Sequence, residues 1–263
     1  MRRALTIDEQ SYGPEHPHVA IDLNNLARLL QATNRLTEAE PLMRRALTID
    51  EQSYGPEHPD VAIDLNNLAH LLQATNRLAE AEPLMRRALA IDEQSYGPEH
   101  PKVATRLNNL ALLLQATNRL AEAEPLMRRA LAIDEQSYGP EHPNVAIRLN
   151  NLAALLQPTN RLTEAEPLMR RALTIDERSY GPEHPHVAID LNNLARLLQA
   201  TNRAAEAEPL MQRNVVIFRK FGESTGHEHR HMQAAIRNYV GLLKVMGLPE
   251  EEIKRRVSEA VGK

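Results

Sequence analysis

The chain has 263 residues, of which 42% are hydrophobic, 25% are charged and only 3% are aromatic, so any core must be aliphatic. The absence of cysteine excludes disulfides, thiol catalysis and thiolate-ligated metals. A formal net charge of -4 argues against nucleic acid as the main partner. No apolar run reaches the roughly 18 residues of a membrane span, and the N-terminus lacks a secretory signal, so we expect a cytoplasmic protein.

Most of the chain is one unit repeated at a 42-residue spacing, and a further start at Met211 degenerates within a few residues. Self-similarity at such a period is typical of stacked repeat architectures. We predict five near-identical repeats over residues 1–222, entered in mid-repeat, and a degenerate C-terminal capping helix pair over residues 223–263. The copies begin at Met1, Met43, Met85, Met127 and Met169.

The segment before the first complete unit, Met1 to Tyr12, reads as the second helix of a repeat whose first helix is missing. Its apolar residues Ala4, Leu5 and Ile7 would lack a cover. Either the chain was cut from a longer array, or this edge docks on another surface. We therefore expect a monomer or a weak end-to-end homo-oligomer formed through this helix.

Each unit contains two helical patterns. The first pattern follows Gly13-Pro14, which ends the preceding helix, and Pro17 suits the first turn of the new helix. The second runs from about Leu36 to Tyr54, with Pro41 expected near its fourth or fifth position, at the cost of one early hydrogen bond or a small kink. The apolar stripe of the first pattern, at the helical period, is Val19, Leu23, Leu26 and Leu30.

The C-terminal part departs from the repeat but keeps its outline. Residues 229–247 are a degenerate copy of the first helix, in which Asn238 is retained. Pro249 then opens a last helix with acidic residues in its first turn, as the helix dipole prefers. We interpret this pair of helices as the capping repeat.

The spacing of large and small residues resembles the tetratricopeptide repeat, a helix-turn-helix unit of about 34 residues. The longer unit here, with its Gly-x-x-His-Pro turn and Leu-Asn-Asn-Leu-Ala helix, is similar to the repeats of kinesin light chains and related bacterial proteins. Leu23 and Met43 stand where the family has aromatic residues, and Glu51 replaces its closing proline. The residues that carry the resemblance are Leu23, Leu26, Ala27, Leu30, Ala39, Met43 and Ala46.

A single unit cannot bury its own stripe, so neighbouring units must stack. With the resemblance, this predicts an all-α fold: a right-handed α-solenoid, or superhelix, of stacked helix-turn-helix repeats. In such a fold the first helices line a concave groove. Differences between the copies cluster on the free side of these helices, whereas the charges of the second helix recur unchanged. Free drift of surface positions is the alternative explanation for that variation.

Every first helix also holds two adjacent asparagines, which are mediocre helix formers. Their amides could hold the backbone of an extended peptide, as the resemblance implies, while neighbouring variable residues read its side chains. Alternatively, one asparagine of each pair bonds to the next repeat. The predicted groove residues are Asn24, Asn25, Arg28, Asn66, Asn67, His70, Arg106, Asn108, Asn109, Arg148, Asn150, Asn151, Asn192, Asn193 and Arg196. Arg106 and Arg148, with Lys102, are expected to make the middle of the groove basic.

No catalytic constellation or phosphate loop interrupts the repeats, so we expect neither an enzyme nor a cofactor. The histidine of each GPEHP turn, such as His16, is expected to serve the turn or cap a helix, and the cluster from His227 to His231 lacks metal-ligand spacing. The sequence therefore predicts a scaffold that binds a protein, either as an extended peptide or as a helix. The alternative is a self-assembling structural or sensor array within a longer signalling protein.

Overall fold

The computed structural model describes residues 1–262, and all regular secondary structure within this range is α-helical. This confirms the predicted all-α class. The helices, numbered in chain order, are α1 Arg2–Tyr12, α2 Pro17–Ala32, α3 Leu36–Tyr54, α4 Pro59–Ala74, α5 Leu78–Tyr96, α6 Pro101–Ala116, α7 Leu120–Tyr138, α8 Pro143–Leu156, α9 Leu162–Tyr180, α10 Pro185–Ala200, α11 Ala204–Thr225, α12 Met232–Val245 and α13 Glu250–Val261.

The helices fall into two compact units, Met1–Ile133 and the residues from Asp134 onwards, with the boundary inside α7. In the first unit, α2 packs on α3 and α4 on α5, while α3 contacts α4 and α5 contacts α6. In the second unit, α8 packs on α9 and α10 on α11, and α11 continues to α12 and α13. Helix pairs in chain order, each packed on the next, are the arrangement of a tetratricopeptide-like solenoid.

Each apolar core is shared between neighbouring repeats. In the helix pair α4 and α5, Val61 and Leu65 of α4 pack with Ile91 of α5. Leu47, a partly buried leucine of the preceding helix α3, completes this cluster. Leu5 of α1 plays the same part for the pair α2 and α3, so α1 covers α2 while its own Ile7 stays exposed.

The turn histidines cap the first helices, which confirms the role expected for them. The Nδ1 atom of His100 accepts a hydrogen bond from the backbone N–H of Lys102 at 3.1 Å, and Pro101 is the first residue of α6. The ring of His100 stacks on Tyr96, with the ring centroids 4.8 Å apart. Gly97, with a φ of 87°, ends the preceding helix. The same cap and stack recur in the other copies.

The constant charges of the second helix bond across repeats. Arg87 donates to Glu51 at 2.6 Å and to the carbonyl of Pro56 at 2.7 Å, both in the preceding repeat. Arg77 joins Glu40 in the same way, at 2.7 Å. These contacts explain why the charges of the second helix are the same in each copy. Their constancy is therefore no longer an argument against free drift of the variable positions on the first helices.

Two details of the helix limits differ from the sequence-based expectation. Pro41 is the sixth residue of α3 rather than the fourth or fifth, because the helix already begins at Leu36. The helix predicted over residues 229–247 is shorter, Met232–Val245, since His229 stacks on Phe218 instead of entering it. Tyr239 of this helix is fully buried and donates to Glu208 at 2.7 Å.

Leu107 and Leu112 offer a matched test of the packing, because both lie on α6 but only Leu107 is buried in the core. We expect Leu107→Ala to lower the free energy of unfolding by about 2–5 kcal/mol, through lost burial and the cavity that remains. Leu112→Ala should change it by no more than about 0.5 kcal/mol. Urea denaturation followed by circular dichroism measures both, and equal effects would contradict this assignment of the core.

Candidate functional site on the first helices

In each of the two units, the candidate site is the solvent-exposed side of the first helices, which are α2, α4 and α6 in the first unit and α8 and α10 in the second. We call this side the first-helix face of a unit. Isoleucines that cover no core residue lie on it: Ile21 is 56% exposed, and Ile63, Ile147 and Ile189 are also exposed. Thr105 takes the equivalent position on α6. Exposed aliphatic side chains at one repeated position give this face an apolar component.

The first asparagine of the pair bonds to the neighbouring first helix. Asn24 of α2 donates through Nδ2 to Asp64 Oδ1 of α4 at 2.6 Å, and Asn150 donates to Asp190 at the same distance. The Oδ1 atom of Asn66 instead accepts from Asn109 of α6 at 3.0 Å. Asn192 likewise accepts from the retained Asn238, at 2.8 Å. The inter-repeat role left open by the sequence is therefore present in the structure.

The second asparagine lies nearer to solvent in the first unit. Asn25 is exposed and Asn67 is half-buried, whereas Asn66 is buried. Asn109 is half-buried and Asn108 is buried. In the second unit, both members of each pair, Asn150 with Asn151 and Asn192 with Asn193, are half-buried. Asn25 and Asn67 are thus the amides of the first unit best placed to meet a ligand.

The predicted arginines lie in two different environments. Arg28 and Arg196 are exposed on the first-helix face. Arg106 donates through Nε to Asp92 Oδ2 at 2.7 Å, and Arg148 donates to Asp134 at 2.8 Å with only 10% of its side chain exposed. The expectation of a basic middle of the groove is corrected accordingly, because carboxylates of the preceding second helices neutralise Arg106 and Arg148.

His70 is the one predicted site residue with an imidazole. Its ring lies 3.1 Å from Gln73 Oε1 through Nδ1 and 3.2 Å from Asn109 Nδ2 through Nε2. Partial desolvation by neighbouring groups lowers the pKa of His70 below its ordinary value. A neutral ring whose Nε2 accepts from Asn109 and whose Nδ1 donates to Gln73 satisfies both contacts.

At two of the positions equivalent to Arg106, those of Asp64 and Asp190, two carboxyl groups face each other. Asp64 of α4 lies beside Asp50 of α3, and Asp190 of α10 lies beside Asp176 of α9. Burial and the partner's charge raise the pKa of Asp64 to about 8 and that of Asp190 to about 7. Each pair therefore holds a shared proton near neutral pH, since two buried carboxylates in contact cannot both ionise readily.

The carboxyl pair of the first unit opens into a cleft of about 250 Å³ between α2, α3 and α4. At the equivalent place one repeat further on, Arg106 and Lys102 line a smaller cleft of about 130 Å³. Among residues 1–262, no group of three or more metal-ligating acidic or histidine side chains is present. The larger cleft is lined by Ile21, Asn24, Asn25, Arg28, Asp50, Tyr54, Asp60, Ile63, Asp64 and Asn67, with Pro17.

Asp50 and Tyr54 are part of this cleft, although the sequence analysis assigned the site to first helices alone. A signal for Asp50 was present in the sequence. Its position is aspartate in each complete repeat, while the position of Asp64 is aspartate in three copies and arginine in two. An acid that stays constant while a nearby position changes between aspartate and arginine indicates that the two side chains interact electrostatically.

The repeat model that matches the chain is that of the tetratricopeptide repeat, over residues 1–52, 23–94, 65–136, 107–168 and 144–215. The chain belongs to the tetratricopeptide repeat family. Proteins of this family generally mediate protein–protein interactions and are typically non-catalytic. The resemblance recognised in the sequence is thereby confirmed.

Two solved tetratricopeptide structures resemble the chain over most of its length. Nearly identical repeats from a predicted kinesin light chain of Podosopora anserina are 27% identical, with a TM-score of 0.67 over 80% of this chain and 98% of that one. BtubC (BKLC) from P. vanneervenii is 25% identical, with a TM-score of 0.71 over 87% of this chain and 89% of that one. These neighbours confirm the kinesin-light-chain-like character of the repeats.

A third structure, Pseudomonas aeruginosa pilF, is 18% identical, with a TM-score of 0.54 over 91% of this chain and 97% of that one, and shares the fold alone. No curated protein sequence matches the chain. None of the helices within residues 1–262 combines the length and apolar character that crossing a membrane requires.

The two carboxyl pairs predict a pH dependence of stability. Because the pKa values of Asp64 and Asp190 are higher in the folded than in the unfolded state, the folded chain binds more protons between roughly pH 4 and pH 8. Stability should therefore fall as pH rises through this window. We expect a lower urea midpoint at pH 8.5 than at pH 5.5 in the wild type, and a smaller difference in Asp64→Asn/Asp190→Asn.

The double variant is its own control for histidine titration, because it keeps all histidines of the chain. An asparagine can also donate to the facing carboxylate as the protonated acid does. An unchanged pH difference in the variant would show that other groups cause it.

Proposed function

We propose that the chain is a non-enzymatic scaffold that binds an extended peptide or a partner helix on its first-helix face. The observation that carries this proposal is the set of exposed isoleucines close to the second asparagine of the pair. In the first unit, Ile21 and Asn25 lie on α2 and Ile63 and Asn67 lie on α4. Exposed apolar residues with adjacent amides offer contacts to ligand side chains and to a ligand backbone.

The two asparagines of a pair divide their roles in this proposal. Asn24 holds the repeats together through its bond to Asp64, so its Nδ2 donor is already engaged. Asn25 and Asn67 are more accessible and line the cleft of the first unit. We assign them to the ligand backbone, while Arg28 and His70, which differ between copies, read ligand side chains.

Arg106 and Arg148 are not assigned to ligand contacts. Each is committed to a buried aspartate, so reversing its charge would bring two carboxylates together inside the repeat. Loss of binding in such a variant would report a disturbed fold rather than a lost contact. Variants on the exposed face are therefore the informative ones.

Peptides selected from a random display library on the wild-type chain provide ligands for the test. Ile21→Glu/Ile63→Glu should weaken their binding by at least about tenfold, because charge replaces apolar contact at two points. The matched control, Thr48→Glu/Ala90→Glu, adds the same charge at exposed positions of the second helices α3 and α5. Equal loss in both variants, or in neither, would count against the first-helix face.

The asparagine roles give a second prediction. Asn25→Ala/Asn67→Ala should reduce peptide affinity while leaving the urea midpoint close to that of the wild type. Asn24→Ala should instead destabilise the fold by about 1–3 kcal/mol, because a buried oxygen of Asp64 loses its donor. Isothermal titration with a selected peptide and urea denaturation measure the two effects, and the reverse result would exchange the two roles.

A further inference from the structure

We propose that the cleft at Asp50 and Asp64 is a specific pocket for an arginine side chain of the bound partner. The proposal deepens the peptide-binding function above and rests on it. Its basis is a comparison between two consecutive repeats of the same chain. In one of them the pocket is filled by the chain's own cations, and in the other it is lined by acids.

The filled version lies in the third repeat. Arg106 places its guanidinium against Asp92, with Nε 2.7 Å from Oδ2. Lys102, one turn earlier on α6, donates to the Tyr96 hydroxyl at 2.7 Å and lies 4.1 Å from the centre of that ring. An acid, an aromatic ring and two cations thus form one set of contacts between α5 and α6.

The second repeat keeps the acid and the ring but lacks both cations. Asp50 and Tyr54 of α3 correspond to Asp92 and Tyr96, while Asp64 and Asp60 replace Arg106 and Lys102. All four side chains line the cleft. The cleft volume grows from about 130 Å³ to about 250 Å³ between the two sites, which leaves room for a side chain from outside.

The acids at the base of this cleft are deeply buried and incompletely bonded. Asp64 is 2% exposed and Asp50 is 6% exposed. Asp64 Oδ2 and Asp50 Oδ1 receive no donor from any other residue of the described chain, and the two carboxyl groups bond only to each other through their shared proton. One shared proton satisfies few of the acceptor positions of two buried carboxyl groups, whereas a planar guanidinium supplies several donors at once.

The arginine of the chain that lines the cleft does not serve this purpose. Arg28 forms no hydrogen bond or ion pair with Asp50 or Asp64 within residues 1–262. Only two carboxyl groups meet at the base, and no metal-ligating group of three exists in the described part of the chain, which favours an organic cation over a metal ion.

An entering cation changes the protonation of the pair. Opposite charge favours the ionised form of a carboxyl group, so the proton shared by Asp50 and Asp64 leaves to solvent as the guanidinium binds. The resulting contacts reproduce those that Arg106 makes to Asp92. Ile21 and Ile63 at the rim of the cleft would cover the aliphatic part of the ligand's arginine.

The experiment uses two probes on the full chain. The first is N-acetyl-arginine amide, followed by NMR through the side-chain amide signals of Asn24 and Asn67, with N-acetyl-citrulline amide as its uncharged control. The second is an arginine-containing peptide from the display selection, compared with its citrulline and lysine versions. Citrulline keeps the shape of arginine and removes its charge.

Asp64→Arg is the decisive variant, because it places the chain's own guanidinium where Arg106 lies in the next repeat. Asp190→Arg is the matched control, since it makes the same change at the carboxyl pair of the second unit. Asp64→Asn removes the charge without filling the cleft and keeps the test open should Asp64→Arg fail to fold. Circular dichroism and urea denaturation verify the folded state of all three.

We expect the arginine probe to shift the amide signals in the wild type and in Asp190→Arg, and not in Asp64→Arg. The peptide should lose at least about tenfold in affinity through citrulline replacement or through either Asp64 variant, as expected when a charge-assisted contact is lost. An equal affinity of the lysine version would overturn the specificity for arginine.

The outcomes separate the two proposals. Peptide binding that is indifferent to citrulline and to Asp64 would overturn the arginine pocket while leaving the peptide-binding function in place. Binding of the small arginine probe, lost in Asp64→Arg, without any selected peptide would leave the pocket in place and overturn the peptide-binding function. No response of the wild type to either arginine probe would overturn the pocket.

Discussion

The interface between successive repeats is the constraint on which the rest of this structure depends. One helix pair cannot cover its own apolar stripe, so the cluster around Leu65 is completed by Leu47 from the preceding second helix. Close approach requires small residues, and Ala62 and Ala88 lie fully buried at this contact. Since every unit needs the same interface, the sequence repeats itself, and each copy contributes only part of a core.

Polar residues at this interface make the stacking specific. Asparagine in the middle of a helix costs several tenths of a kcal/mol relative to alanine. The bonds of Asn24 to Asp64 and of Asn66 to Asn109 offset that cost by joining adjacent first helices. An amide can donate or accept, so the same asparagine suits a neighbour with aspartate or one with arginine. The repeats therefore tolerate a change of charge at that neighbour without losing the inter-repeat bond.

This tolerance links stability to binding. A buried Asp–Arg pair such as Asp134–Arg148 closes the contact between a second helix and the following first helix. A buried pair of aspartates, as at Asp50 and Asp64, brings no cation of the chain to the contact and lies at the base of a cleft. The chain thus has some positions that neutralise a buried charge internally and others, at Asp64, where we propose that a ligand neutralises it. The exposed isoleucines beside the cleft place apolar surface next to that charge.

The sequence by itself determined the all-α class, the helix pairs, the histidine caps and the family, because these follow from a local period repeated many times. It also identified the asparagine pairs and left their two roles open. Only the tertiary structure decided that Asn24 bonds to Asp64, that Arg106 and Arg148 are neutralised by buried aspartates, and that Asp50 belongs to the cleft. The physical reason is that these contacts join residues on different helices, whose separation depends on packing, whereas a hydrophobic period depends only on the spacing of residues along one helix.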